Sequence, residues 1–442
     1  MYDLLAFAAL AFLALAVAPI VAGRPGSWIP AKVLLAAMAL RVFGSIARYE
    51  VLSRFYDGLG DAVSYFYYGL DIASQLLEHP SLLFSPRFWA ESASWWGTPF
   101  LEKVTGVLLT VIGPSMRAGF LAFSLLAFLG LWAIVKAFRN TTPDHRAVFF
   151  ASWIWLWPSL WFWPSSIGKE AVLLLGIGIT VLGYAGPRGG VRWPIYLAGL
   201  GLTFCVRPHV AMVVALATLV AHWLGSWEHF SIRRIIEAAL AVAVAAVAFS
   251  GMRAQFGLED AGFEGMREFV EFRANQTLQG GSSIGDVPLG SAGIPMAFVN
   301  VWMRPFPWEA HNLTAAFAAL EMVLFWYLVW QRRQGVGFAL RHWRRHRLLR
   351  FALPFLFLYT LMIGIAFGNL GLIARQRTPI FPFLLMLLAA APDTVAAARR
   401  RVTAPAPPPA AESIAAPGLA PVPRPAPASA ANAPHIRLKV LS

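Results

Sequence analysis

Two carboxylates and a tyrosine follow the second apolar stretch of the chain. Asp61 and Tyr65 are four residues apart, so they would share one face of a helix that starts near Gly60. Aromatic surroundings raise the pKa of a carboxylate toward the range in which it accepts a proton from a hydroxyl group. We predict Asp61 as a catalytic base and Asp57 as the second candidate. The alternative role of Asp61 is to cap the helix, and Tyr65 could equally stack on a ligand or anchor the chain in a membrane surface.

A second group of polar residues lies between two apolar stretches, at residues 164–170, with the sequence Pro-Ser-Ser-Ile-Gly-Lys-Glu. Serine hydroxyls, the free N–H groups of a helix start and Lys169 together suit a phosphate, and we predict Lys169 and Glu170 as substrate-binding residues. The upstream strand and first glycine of a P-loop are missing. The alternative is that Lys169 pairs with Glu170 or extends to lipid headgroups.

Arginines occur at two further breaks in the apolar pattern. Arg207 and His209 flank a proline, and Arg375 and Arg377 lie at the tip of a hairpin between the apolar residues 351–367 and 378–391. Because a guanidinium binds phosphate oxygens bidentately, we predict that these residues contribute to the same site as Lys169. A histidine in such a position is more often an ordinary helix residue than a base.

A proline-rich segment at residues 304–312 carries Arg304, Trp308 and Glu309. Tryptophan and glutamate in a rigid loop suit stacking on a sugar ring and recognition of its hydroxyls, so we predict these three residues as substrate-binding. The glycine-rich residues 280–286 precede them and could form a mobile cover. The alternative is a loop that only covers the bundle.

The composition indicates where these residues work. Of the 442 residues, 58% are hydrophobic and 13% are charged, and the mean hydropathy is +0.61, which is typical of a polytopic membrane protein. Repeated apolar stretches approach the length of a membrane-spanning helix. We predict an all-α bundle of about 11 spans, within a range of roughly 10 to 13, whose outer loops form a cavity at the membrane surface.

The net charge of +14 is unevenly distributed. Seven arginines lie within residues 332–350 and three more at residues 399–401. This pattern predicts that both segments face the cytoplasm, where anionic lipid headgroups are the expected partners and nucleic acid is not. The acids and the phosphate-binding candidates then fall on the opposite face, together with the N-terminus.

The same pattern predicts the domain organisation. Residues 1–401 form one transmembrane domain with outer loops at residues 48–116 and 251–312, and the apolar residues 99–113 are re-entrant or interfacial. The Ala- and Pro-rich residues 402–442 are expected to be a disordered cytoplasmic tail.

The sequence contains no firm metal-binding pattern. The single cysteine, Cys205, excludes an internal disulfide and a cysteine-based metal site. No cofactor is firmly implied, although a divalent cation such as Mg²⁺ or Mn²⁺ at Asp57 or Asp61 could bridge to a lipid phosphate.

Residues 41–185 resemble bacterial members of the GT-C superfamily of multi-span glycosyltransferases, which use polyprenyl-phosphate-linked sugars. The resemblance rests on Gly60-Asp61-Ala62-x-x-Tyr65 and on the motif at residues 164–170. It implies that Asp61 matches the catalytic acid of the first outer loop, although Ala62 replaces the second acid of the usual pair. Residues 368–377 also resemble the arginine-bearing ends of O-antigen-type polysaccharide polymerases.

The residues and the resemblance together lead to one expectation with two alternatives. We expect an enzyme of the bacterial inner membrane that transfers a sugar or oligosaccharide from a polyprenyl phosphate or diphosphate carrier to a glycan, lipid or protein acceptor at the periplasmic face. The first alternative is a polymerase that joins lipid-linked repeat units in cell-envelope polysaccharide biosynthesis. The second is a transporter of lipid-linked glycans without chemistry.

Overall fold

The computed structural model describes residues 2–24, 26–90, 95–142, 144–186, 190–224, 293–390 and scattered residues between 232 and 272. These residues form helices that are joined by turns. In the first half, the α-helices are α1 (Tyr2–Ala22), α2 (Ala31–Phe55), α3 (Asp61–Glu78), α4 (Pro86–Ala90), α5 (Thr98–Ile112), α6 (Met116–Arg139), α7 (Asp144–Leu156), α8 (Pro158–Phe162), α9 (Lys169–Tyr184), α10 (Trp193–Val206) and α11 (Pro208–Leu224). In the second half, they are α12 (Gly293–Trp302), α13 (Leu313–Gln331), α14 (Arg333–His342), α15 (Arg347–Ala366), α16 (Leu370–Gln376) and α17 (Phe381–Ala390). The predicted all-α fold class is confirmed. The predicted tail and the glycine-rich residues 280–286 lie outside the described residues.

Five helical stretches are long and apolar enough to cross a membrane: Tyr2–Ala22, Met116–Arg139, Leu313–Gln331, Arg347–Ala366 and Leu370–Ala390. By length and composition, the chain is therefore a helical integral membrane protein. The prediction of about 11 spans is wrong for the part of the chain that the structure describes, where these five stretches meet the criterion.

The span count differs because prolines divide several apolar stretches into short helices. α7 has 13 residues and ends just before Pro158, so it covers only about 20 Å at 1.5 Å per residue, against the roughly 30 Å of a bilayer core. Likewise, α10 and α11 have 14 and 17 residues and meet at Arg207 and Pro208. The break predicted at that point is confirmed.

The predicted first outer loop, residues 48–116, is largely helical. α2 continues to Phe55, α3 begins at Asp61, and α5 covers the stretch predicted to be re-entrant. α3 and α5 pack closely, and a Cβ atom added at Gly69 would lie 2.7 Å from Cγ2 of Thr105. The helix that starts near Gly60 is confirmed, but Gly60 itself occupies the N-cap position, and Asp61 is the first helical residue.

Arginines of residues 332–350 lie at one end of the bundle, which we call the basic end. α9 terminates there at Tyr184, and the guanidinium of Arg347 lies 4.6 Å from the centre of that tyrosine ring. Arg332 lies 4.0 Å from the ring of Phe149 in α7. α9 has 16 residues, so its other end, at Lys169, is about 24 Å away. Lys169 and the arginines of residues 332–350 are thus at opposite ends of α9.

Helix α9 is fixed by close backbone contact. A Cβ atom added at Gly178 would lie 2.1 Å from the carbonyl oxygen of Gly130 in α6, and one added at Gly199 in α10 would lie 2.3 Å from the backbone nitrogen of Thr180. Only glycine permits such approach of two helix backbones. These contacts hold the start of α9 in a defined place relative to α6 and α10.

Candidate functional site

A buried carboxylate lies at the start of α9 and binds two arginines. Glu170 is 3% exposed, and its Oε1 and Oε2 atoms accept hydrogen bonds from Nε and Nη2 of Arg375 at 2.9 and 3.0 Å. Nη2 of Arg207 donates to Oε1 at 3.0 Å. The arrangement is a bidentate pair with a third charge-assisted hydrogen bond, which fixes both guanidinium groups.

Three separate elements bring these residues together. Glu170 lies in the first turn of α9, Arg207 in the break between α10 and α11, and Arg375 in the last turn of α16. Gln376 supports the group because its side chain accepts a hydrogen bond from Nη1 of Arg207, while its backbone oxygen accepts one from Tyr359 at 3.0 Å. The site therefore depends on the packing of helices that are distant in sequence.

The electrostatics favour the charged form of Glu170. Burial alone would raise the pKa of Glu170, but the charges of Arg375 and Arg207 and the hydrogen bonds from Arg375 outweigh burial and hold that pKa well below its usual range. Burial lowers the pKa of Lys169, and the charge of Arg207 lowers it further, whereas Glu170 and Asp61 act in the opposite direction.

Helices α3 and α5 bring the acidic segment to the same place. Nζ of Lys169 donates to Oγ1 of Thr98 at 3.0 Å, and burial together with the charges of Asp61 and Glu170 raises the pKa of Tyr65. The charge of Asp61 acts on both Lys169 and Arg375. We define the Glu170 cluster as the six predicted site residues that the structure brings together: Asp61, Tyr65, Lys169, Glu170, Arg207 and Arg375.

Asp61 and Tyr65 occupy different environments within the cluster. Asp61 is exposed at the beginning of α3, whereas Tyr65 is only 5% exposed one turn later. The exposed carboxylate is accessible to a ligand, whereas the phenol is buried within the bundle. Asp57 is exposed in the preceding turn with a φ of 50°, and His209 is a partly buried residue in the first turn of α11.

The segment with Arg304, Trp308 and Glu309 forms a compact turn. Nε of Arg304 donates to Oε1 and Oε2 of Glu309 at 2.9 and 3.1 Å, and the backbone N–H of Phe306 donates to Oε2 at 2.8 Å. Trp308 is 76% exposed, with its ring stacked 4.8 Å from that of Phe306. The ion pair therefore organises the turn, and the tryptophan face remains accessible.

Arg377 is not brought to the Glu170 cluster. Its side chain is 1% exposed, and Nη1 donates to the carbonyl oxygen of Arg304 at 2.6 Å. Nη2 lies 3.9 Å from Oε2 of Glu321 in α13, and the same carboxylate accepts a hydrogen bond at 2.6 Å from the backbone N–H of Ser159. Arg377 thus ties α13 and the Arg304 turn to the end of α16.

A cleft opens between the Arg304 turn, α13 and α16. Its lining consists mostly of apolar or small residues with a few polar groups, namely Trp163, Pro305, Glu309, Asn312, Thr314, Ala315, Ala318, Leu370, Gly371 and Ala374. Ala374 immediately precedes Arg375, so the cleft adjoins the Glu170 cluster. An amphiphilic ligand is the kind of molecule that such a lining suits.

Three residues near the cluster were not predicted from the sequence, namely Arg48, Thr98 and Gln376. The charges of Arg375 and Glu170 act on Arg48. In the sequence, Arg48 appears only as the residue that ends an apolar stretch. The sequence signal that could have identified Arg48 was its position shortly before Asp57 and Asp61. Nothing in the sequence distinguishes Thr98 or Gln376 from other polar residues at the ends of helices.

Among the described residues, no group of three His, Cys, Asp or Glu side chains is placed to hold a metal ion. The arrangement can bind an anion, because three cations outnumber two carboxylates. The cations are Lys169, Arg207 and Arg375, and the carboxylates are Asp61 and Glu170. Comparison with protein-family models, curated proteins and solved structures gives no match for this chain.

Proposed function

We propose that the protein is an integral membrane glycosyltransferase that moves a sugar or oligosaccharide from a polyprenyl phosphate or diphosphate carrier to an acceptor hydroxyl. The observation that carries the proposal is the Glu170 cluster, which combines an exposed carboxylate with three cations at one end of a membrane-embedded bundle. We place this end at the periplasmic face of a bacterial inner membrane, because the basic end would face the cytoplasm.

The proposed reaction assigns each residue a defined task. The acceptor oxygen attacks the anomeric carbon of the sugar, and the bond from that carbon to the phosphate oxygen breaks. Asp61 accepts the acceptor's proton as the new glycosidic bond forms. The electron pair of the broken bond stays on the carrier phosphate, whose growing negative charge the cations of the cluster stabilise.

The burial of Glu170 supports this assignment. Two arginines that are already held by a carboxylate do not have to be ordered when the ligand binds, so they are preorganised for the phosphate. Trp308 offers an exposed face on which a sugar could stack, and Glu309 is fixed at the edge of the cleft. In this proposal the Arg304 turn contacts the acceptor, and Arg377 shapes that turn.

The transporter alternative would use charged residues inside the bundle. Arg377 and Glu321 are both fully buried there, 3.9 Å apart. The Glu321 carboxylate accepts from Ser159, and Nη1 and Nη2 of Arg377 donate to backbone carbonyl oxygens, while Nε of Arg377 is buried without an acceptor among the described residues. Contacts to fixed backbone groups are the pattern of a structural link. The polymerase alternative shares the donor chemistry and differs in the acceptor, which would itself be a lipid-linked glycan.

The test is a transfer assay with purified protein and radiolabelled polyprenyl-phosphate sugars. We expect product with the wild-type protein and a loss of at least about 100-fold with Asp61→Asn. Asp71→Asn is the matched control, because Asp71 is an exposed acid on the same helix that hydrogen-bonds to Gln75. Absence of transfer from every polyprenyl-linked donor would contradict the proposed function, and an elongating glycan product would favour the polymerase.

A further inference from the structure

Glu170 offsets part of the positive charge at the site. It receives two hydrogen bonds from Arg375 and one from Arg207, whose side chains are 29% and 12% exposed. The N–H groups of these arginines that face Glu170 are therefore committed to an internal carboxylate. A ligand that binds here needs a further donor whose N–H groups are still available.

Arg48 has such available groups. Within the described part of the chain, its guanidinium forms no hydrogen bond and no ion pair, and its Nε is buried without an acceptor. Leaving a buried N–H unsatisfied costs free energy, which a ligand oxygen would recover. The charges of Arg375 and Glu170 act on Arg48, so it belongs to the same electrostatic environment as the cluster.

Aromatic rings hold Arg48 in place without using its N–H groups. The guanidinium carbon lies 5.3 Å from the ring centres of both Phe162 and Trp163, which are each 8% exposed. Stacking of this kind orders the planar group and leaves its edge free for a bidentate contact. Arg48 is thus preorganised as an anion-binding residue.

The same tryptophan connects Arg48 to the cleft. Trp163 lines the cleft together with small or apolar residues of α13 and α16, including Ala315, Ala318 and Ala374. A cation at one side and an apolar groove at the other fit a molecule with a phosphate head and a hydrocarbon chain. Free phosphate would use only the first of these features.

We propose that Arg48 is a direct phosphate ligand of the site, that it binds a lipid phosphate whose hydrocarbon chain enters the cleft lined by Trp163, and that Glu170 is an internal counter-charge that positions Arg207 and Arg375. This proposal rests on the proposed function for the choice of a prenyl lipid. Glu170, which the sequence predicts as substrate-binding, thus does not touch the substrate in this proposal, and Arg48 does.

The test is equilibrium binding of radiolabelled farnesyl phosphate to the full-length protein in detergent, with unlabelled farnesol and inorganic phosphate as competitors. We expect farnesyl phosphate to bind and both competitors to displace it weakly, because each has only half of the required chemistry. Arg48→Gln should weaken binding by roughly 10- to 100-fold. Arg48→Lys, which keeps the charge, should recover part of the loss.

Arg54→Gln is the matched control, since Arg54 lies on the same helix, is 75% exposed and pairs with Glu50. Its affinity should equal that of the wild-type protein. Equal binding by wild type and Arg48→Gln overturns the role of Arg48. A parallel loss of farnesol affinity and melting temperature in both Arg48 variants also overturns it, because that result indicates a structural role.

Binding and transfer separate this proposal from the proposed function. If the wild-type protein binds farnesyl phosphate through Arg48 but transfers no sugar, the phosphate site stands and the enzyme assignment fails. If the protein transfers sugar and Arg48→Gln binds the donor normally, the enzyme assignment stands and this inference fails. If inorganic phosphate competes as well as the lipid, the cleft has no part in binding and the lipid assignment is overturned.

Discussion

Glu170 and Arg375 form a bidentate ion pair across 205 residues of sequence, with N–O distances of 2.9 and 3.0 Å. The pair joins the start of α9 to the end of α16, and Arg207 adds a third helix junction. Because the carboxylate is buried, the pair is at once a structural link and the electrostatic centre of the site. Its removal should therefore be detectable in stability before any activity is assayed.

We expect Glu170→Gln to destabilise the protein by about 3 kcal/mol, the lower end for breaking a buried pair, because Arg375 remains partly exposed. The substitution leaves two guanidinium groups close together without a counter-charge. Denaturation in detergent would measure the change. Glu50→Gln, which breaks the exposed pair with Arg54, is the control and should cost at most about 1 kcal/mol. Equal effects of the two variants would show that the Glu170 pair is not buried as described.

The contribution of Glu170 to the free energy of unfolding should decrease as the pH falls. Because the folded protein lowers the pKa of Glu170, the stabilisation is fully present above the unfolded-state value of 4.5 and is lost as the pH falls toward the folded-state value. The difference in unfolding free energy between wild type and Glu170→Gln should be constant from about pH 6 to pH 8 and shrink below about pH 4.5. A difference that instead grows on acidification would refute the assigned charge state.

Helix α9 should not tolerate a side chain where it crosses α6. In Gly178→Ala, the new methyl group would meet the carbonyl oxygen of Gly130 at 2.1 Å, so we expect destabilisation by about 1–3 kcal/mol and displacement of Lys169 and Glu170. Gly201→Ala, on neighbouring α10 with nothing within 4 Å, should be neutral or stabilising by up to about 1 kcal/mol. Thermal melting of both variants makes the comparison, and a harmless Gly178→Ala would argue against this helix crossing.

The two ends of the bundle should face opposite sides of the membrane. Asp61→Cys and Arg344→Cys, both at exposed positions, can be labelled with an impermeant thiol reagent in a Cys205→Ala background. We expect Asp61→Cys to label in intact cells and Arg344→Cys only after the membrane is opened. Labelling of both positions from the same side would mean that α9 does not separate the two ends across the bilayer.

Much of the site was predictable because its residues interrupt apolar stretches. The start of α3 near Gly60 and the break at Arg207 and Pro208 follow from local rules for glycine, proline and charge. What brings Lys169 and Arg375 near Asp61 is the packing of α9, which depends on backbone approach between helices. Neither the composition nor the spacing of single residues predicts which two helix backbones come into contact.

Arg375 and Arg377 illustrate a limit of reasoning from sequence proximity. Two residues that are two positions apart on a helix point about 200° apart, so the pair could not serve one phosphate from a regular helix end. Arg375 contacts Glu170, whereas Arg377 contacts the carbonyl oxygen of Arg304 and lies near Glu321. The span count failed for a related reason, since hydropathy does not reveal how far a helix extends beside a proline.

The most direct test of the account is the single-turnover rate of sugar transfer by Asp61→Asn, measured with donor affinity in the same preparation. We expect the rate to fall by at least about 100-fold while the affinity for the polyprenyl-phosphate donor stays within about threefold, because Asp61 acts on the acceptor's proton and the cations hold the phosphate. An unchanged transfer rate in Asp61→Asn would show that this carboxylate is not the catalytic base.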